Sequence, residues 1–137
     1  MLIIEKVIIL KSINLFSEIP EDDLLAVASE VEVIKYEKDT KIINQGDLGT
    51  SMYIVIYGKV DVDFNGKSIK ILEEKSIFGE LALLDPEPRS ATITTLEETL
   101  VFKIEGDVIY NLIYQHINVA IGIIKILCQR VRDNNEN

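Results

Sequence analysis

The chain has 137 residues, 47% of them apolar, and a formal charge of −9 from 23 acidic against 14 basic residues. A chain of this length fits one domain and can bury roughly two-thirds of its unfolded surface without a disulfide or structural metal. The apolar share excludes a disordered chain, the acidic balance disfavours a nucleic acid as partner, and the single cysteine, Cys128, excludes an internal disulfide, which suits a reducing compartment.

The first stretch, MLIIEKVIILKSI, is apolar but brief, and Glu5 and Lys6 interrupt it. It has no basic leader or small-residue cleavage site, so it does not read as a signal peptide. No apolar run reaches the roughly 18 residues of a membrane span. A cytoplasmic chain without membrane contact is therefore expected. Residues 2–13 carry apolar side chains at helical spacing, ending near Asn14. In the following LFSEIPEDDLLAVASEV, Ser17 or Pro20 can open a helix, and Glu21, Asp22 and Asp23 suit its positive end. Leu24, Leu25, Val27 and Ala28 supply its buried stripe.

From Val31 the period changes to two. VEVIKY alternates, KIINQGDLG breaks at Gly46 and Gly49, and SMYIVIYG resumes as a buried strand in which Tyr53 and Tyr57 read as packing residues. KVDVDF alternates, Asn65-Gly66 is a strong hairpin turn, and KSIKILE alternates again. SATITT and TLVFKI are two further strands on either side of Leu96, Glu97 and Glu98. Short strands at such spacing predict a closed or nearly closed antiparallel architecture. After Glu105 the spacing is helical once more: GDVIYNLIYQH forms one helix and INVAIGIIKILCQRVR a second, with a frayed polar tail, DNNEN.

The segment FGELALLDPEPRSATI interrupts the strands. Gly79 to Leu84 reads as one or two helical turns stopped before Pro86, and a helix start offers unpaired N–H groups to a phosphate. Gly79 permits close backbone approach, and Arg89 is the side chain best matched to two phosphate oxygens. Glu80 can accept hydroxyl protons from a sugar. A phosphate clamp and a hydroxyl acceptor nine residues apart suit a ribose phosphate.

This segment resembles the phosphate-binding cassette of the cyclic nucleotide-binding domain family, F-G-E-x-A-L followed by a short loop and P-R-x-A-T. INLFSEIPEDDLLAVA is similar to that family's helical entry, and GDLGTSMYIVIYGKVDV to its G-D-x-G…M-Y-I-I-x-x-G-x-V strand pair. The resemblance implies a mainly β fold, an eight-stranded antiparallel β-roll (jelly-roll-like) with N-terminal helices and two C-terminal helices. It implies one domain over 1–137, with a helical entry at 1–30, a β-roll at 31–104 carrying the cassette at 78–93, and C-terminal helices at 105–133. It further implies cAMP or cGMP as ligand, without a metal. Glu80 would accept the ribose 2′-hydroxyl, and Arg89 would pair with the cyclic phosphate. Backbone N–H groups at Gly79, Ala82 and Ser90 would complete the cradle, flanked by Leu81 and Ala91, and Val62 would pack against the base. Ser90 is compatible with either nucleotide. Asp85 and Glu87 are expected to face solvent.

Other readings stand beside this one. Arg89 could be a surface ion pair worth about 0–1 kcal/mol, in a β-roll that serves as a nucleotide-independent interaction or dimerisation module. His116 reads as a solvated residue between two helices, and one histidine cannot build a cupin-type metal site. Cys128 reads as a buried small apolar residue. No nucleophile, base and orienter can be assembled, so an enzyme is not expected.

The last helix has two apolar stripes. One runs through Ile117, Ala120 or Ile121, Ile124, Leu127 or Cys128, and Val131; the other comprises Val119, Ile123 and Ile126. Two stripes point to a homodimer or effector contact in addition to internal packing, with a deeply packed terminal helix as the alternative. With few polar residues after this helix, a helix-turn-helix is not expected. The expected role is a sensor in which ligand orders the cassette and shifts the C-terminal helices.

Overall fold

The computed structural model describes residues 1–80 and 88–135. It divides into two compact units: Met1–Ser29 with Asp107–Asn137, and Glu30–Gly106.

The second unit holds the strands, all antiparallel: β1 (Glu32–Tyr36), β2 (Lys41–Ile43), β3 (Ser51–Tyr57), β4 (Val60–Phe64), β5 (Lys67–Leu72), β6 (Ile77–Phe78), β7 (Thr92–Thr95) and β8 (Thr99–Glu105). They form two four-stranded sheets, ordered β1-β8-β3-β6 and β2-β7-β4-β5. The expected eight-stranded antiparallel roll is therefore present, with flanking helices. β6 was not foreseen, because two residues are too few to show a period. Of the successive strands only β4 and β5 share a sheet, and every other consecutive pair lies in different sheets, so the alternate side chains of both sheets meet in one core. Ile43, Tyr53, Val55, Val60, Val62, Phe78, Ile93 and Val101 form it.

Local chemistry explains the turns. Asn65 (φ 53°) and Gly66 (φ 85°) are both left-handed, as a two-residue hairpin turn between β4 and β5 requires. The β3–β4 crossing turns at Gly58, whose φ is 98°. A Cβ there would lie 2.6 Å from the Glu98 carbonyl oxygen, so both conformation and space demand glycine. Buried Thr95 bonds the turn between β1 and β2: its hydroxyl donates to the Glu37 carbonyl (2.6 Å) and accepts from the Thr40 N–H (2.8 Å). Tyr53 is buried and stacks on Phe78, with ring centroids 5.0 Å apart. Tyr57 departs from the packing role expected of it. It is exposed, and its hydroxyl donates to Glu98 Oε1 (3.0 Å), because a register shift after Val55 turns the end of β3 outward.

The first unit contains α1 (Ile3–Lys11), a 3-10 turn (Asn14–Phe16), α2 (Glu21–Glu30), α3 (Gly106–Gln115) and α4 (Ile117–Asn135). Pro20 precedes α2, and its carbonyl accepts the first helical bonds from Asp23 and Leu24 (3.1 Å each). Leu24, Val27 and Ala28 are buried as expected, whereas Leu25 is exposed, since four adjacent apolar positions cannot all face one side of a helix. α4 runs on to Asn135, so most of the tail expected to fray is helical. No single helix among the described residues is long and apolar enough to cross a membrane. α3 and α4 pass that test only jointly, and they are bent by 118°.

On α4 the two stripes have opposite fates. Val119 and Ile123 are buried, and Gly122 lies against Leu15 of the 3-10 turn. Ile117, Ile121, Ile124 and Val131 are exposed. Cys128 is exposed as well, contrary to the expected burial, because its position on the helix belongs to this outer stripe. His116 does sit at the α3–α4 junction, but half-buried instead of solvated, with Nε2 3.0 Å from Asp23 Oδ2.

The glycine turn at Gly58 gives a direct test of the β-roll. Gly58→Ala is expected to cost about 2–4 kcal/mol, from the left-handed φ and the carbonyl clash together. Urea unfolding monitored by tyrosine fluorescence would show the midpoint falling at an unchanged m-value.

Candidate functional site

The site is built on Arg89, whose side chain is only 9% exposed. Nη1 donates to the Gly79 carbonyl oxygen and Nη2 to the Ser51 carbonyl oxygen, each at 2.9 Å. These take two of the five N–H donors of a guanidinium. Ser51 opens β3 and Gly79 follows β6, so the fork joins two neighbouring strands of one sheet.

Two glycines make the space. Gly79 has φ 81°, and a Cβ there would stand 2.8 Å from the Ser51 carbonyl oxygen and 2.9 Å from Arg89 Nη1. Gly49 lies against the guanidinium, where a Cβ would come within 2.5 Å of Nε and 2.6 Å of Nη2. The backbone of Arg89 is bracketed as well. Its N–H donates to the Asp47 carbonyl and its carbonyl accepts from the Gly46 N–H, each at 2.8 Å. Loop 44–49 thus reaches both the main chain and the side chain of the arginine.

Burial lowers the pKa of Arg89, while Tyr53, Glu80 and Glu105 act in the opposite direction. A guanidinium nevertheless stays charged throughout the range in which proteins work. Glu80 is fully buried beside it. Glu105, at the end of β8, accepts from the Ser51 hydroxyl at 2.9 Å and lies 3.8 Å from Lys103 Nζ. The Tyr53 hydroxyl is held protonated by burial, with Arg89 pulling the other way. The result is a buried fixed cation with acids on its flanks and main-chain dipoles aimed at it. Such a group offers an oxyanion donors in a setting where water competes weakly.

The expected site residues fall into three groups. Gly79, Glu80 and Arg89 come together, with Arg89 bonded to Gly79 and electrostatically coupled to Glu80. Ser90 is exposed, Ala91 is half-buried against the core of the roll, and Val62 faces that core from β4. Leu81 and Ala82, the helical turns they were expected to open, and Asp85 and Glu87 lie outside the described residues. An isolated surface ion pair is not what Arg89 makes, since its partners are carbonyl oxygens and it is nearly buried. Ser51, Tyr53 and Glu105 were not anticipated as neighbours of the arginine, and only the G-D-x-G spacing at 46–49 marked the loop that holds it. Among the described residues no cluster of three or more His, Cys, Asp or Glu side chains is arranged to hold a metal.

The cyclic nucleotide-binding domain family matches residues 33–116, more than half of the chain. A CRP-like cAMP-activated global transcriptional regulator of Mycobacterium tuberculosis is 24% identical over 134 residues, covering 94% of this chain and 60% of the regulator. A cGMP-dependent protein kinase of Toxoplasma gondii is 33% identical over 110 residues, which cover 79% of this chain and 11% of the kinase. The chain thus spans less than two-thirds of either relative. The regulatory domain of Toxoplasma gondii PKA, co-crystallised with cAMP, superposes with a TM-score of 0.71 at 30% identity, covering 80% of this chain and 43% of that one. The chain belongs to the cyclic nucleotide-binding domain family.

Proposed function

We propose that this chain binds a cyclic nucleotide monophosphate, cAMP or cGMP, as a regulatory sensor module, and that it catalyses no reaction. The observation that carries this reading is the nearly buried Arg89, fixed by Ser51, Gly79 and Gly49 beside buried Glu80. In this reading the guanidinium donors not engaged by the two carbonyls take the cyclic phosphate oxygens. Glu80 accepts the ribose 2′-hydroxyl, and main-chain N–H groups at Gly79, Ala82 and Ser90, with Leu81 and Ala91 alongside, close the cradle. Val62 lies under the base. A cytoplasmic location and the absence of a bound metal belong to the same reading, which is supported by a cAMP-activated and a cGMP-dependent relative.

The bound state is reported through α3 and α4 to a second copy of the chain. Ile117, Ile121, Ile124, Cys128 and Val131 are exposed and spaced by four, three, four and three residues, the repeat of a two-stranded coiled-coil seam.

Calorimetric titration of cAMP and cGMP into the purified chain should give saturable heat with at least one of them. Arg89→Ala is expected to weaken that binding by about 2–5 kcal/mol, and Arg89→Lys, which keeps the charge but loses the fork, by less. Neither heat nor thermal stabilisation of the wild type at millimolar ligand would refute the sensor reading. For the reporting surface, sedimentation should show a dimer that Ile124→Glu converts to a monomer. A monomeric wild type at high protein concentration, with and without nucleotide, would assign the seam to a different protein.

A further inference from the structure

Resting on the reading of Arg89 as the phosphate ligand, we propose that Gln45 and Asn65 are its positioning residues, and that the β4–β5 hairpin tip acts as a strut for the site. The Gln45 carboxamide bonds Asn65 in both senses: Nε2 donates to Asn65 Oδ1 (2.8 Å), and Oε1 accepts the Asn65 N–H (2.9 Å). The Gln45 N–H donates to Thr92 Oγ1 (3.0 Å), three residues beyond Arg89. The next residues, Gly46 and Asp47, carry the two bonds that bracket the Arg89 backbone, and Gly49 then passes under the guanidinium. Five consecutive residues therefore run from the hairpin tip to the ligand-binding side chain.

The hairpin does not need this contact for its own turn. The Gly66 N–H is taken by Asp63 Oδ1 (2.8 Å), and the left-handed φ of Asn65 is open to glycine and aspartate too. The Asn65 side chain is thus left to hold Gln45, and through it the loop. Loop 44–49 has few other holds: Asn44, Gly46, Asp47 and Leu48 are exposed, Leu48 to 79%. An anchor at Gln45 matters because exposed loops open locally at small cost. Any displacement of Gly46 or Asp47 is passed directly to the main chain of Arg89.

The test compares Asn65→Gly, which keeps the turn and removes the acceptor, with Asn65→Asp, which keeps both, and with Gln45→Ala. Two readouts are taken on the full chain. Amide hydrogen exchange is followed by NMR at Arg89 and Gly46 without ligand, and cAMP and cGMP are titrated by calorimetry. Asn65→Gly and Gln45→Ala should each speed exchange at the Arg89 amide, leave the Val101 amide in β8 unchanged, and weaken nucleotide binding about tenfold. Asn65→Asp should restore both properties, and the double variant should be no worse than either single one. Unchanged Arg89 exchange in Asn65→Gly would overturn the proposal, as would equal loss in Asn65→Asp. If the wild type binds neither nucleotide, the ligand reading fails, and exchange at Arg89 still decides whether the strut positions the arginine.

Discussion

The guanidinium of Arg89, spread between the carbonyl oxygens of Ser51 and Gly79, ties together the start of β3, the segment after β6 and loop 44–49. A buried charge of this kind is costly unless its donors are satisfied, and two carbonyls with nearby acids supply the compensation. The cost also runs the other way. Those carbonyls point at the arginine, so removing the side chain would leave them without it and loosen the junction between β3 and β6. Glycine at 49 and 79 follows from the same packing, because each leaves room that a methyl group would take from the guanidinium. A single side chain thus dictates residue type at two other positions and backbone direction at several more.

The rest of the β-roll keeps that junction in place. Its core draws alternate residues from both sheets, and stacking of Tyr53 on Phe78 lies directly beside the strand positions that the arginine joins. Tyr53 therefore serves two ends, one apolar through its ring and one electrostatic through its coupling to Arg89. In the helical unit the division is simpler. One side of α4 is committed to internal packing at Val119 and Ile123, and the opposite side exposes Ile117, Ile121, Ile124 and Val131 together with Cys128. Contiguous apolar exposure of this kind is the surface on which the proposed contact with a second copy rests.

Local features were legible from the residues alone. The alternation of β4 and β5 around Asn65-Gly66, the strands 51–58 and 99–104, and the two C-terminal helices follow from patterns within a few residues, and the structure has them at nearly those bounds. The segment around Arg89 was equally visible as an oddity, since prolines and acids around one arginine fit neither period. What stayed hidden depends on distant partners. Nothing near Ser51 in sequence announces that its carbonyl, 38 residues away, receives a hydrogen bond from Arg89. Periodicity reveals two stripes on α4 and places Cys128 on one of them but does not say which stripe is covered, so the burial expected of Cys128 does not hold. Tyr57 was misjudged for a related reason: a register shift near the end of β3 is invisible in an apolar run.

An acidic chain with one arginine at its site poses an electrostatic problem that the geometry answers. A net charge of −9 opposes the approach of any anion. At physiological salt, though, screening limits that opposition to roughly 8 Å from each exposed charge. Within that distance the local donors decide, and at Arg89 they are a fixed fork already desolvated by the fold. The reorganisation that a surface arginine would undergo on meeting a phosphate has been completed during folding. The flanking acids also have a use, because a buried cation without them would press the structure towards capturing any anion. In the proposed reading, with Glu80 and Glu105 nearby, an incoming phosphate must offer more than charge, and a hydroxyl presented to Glu80 at the same moment would be such an addition. A site of that kind would discriminate by demanding both groups together, which one side chain of either sign could not do.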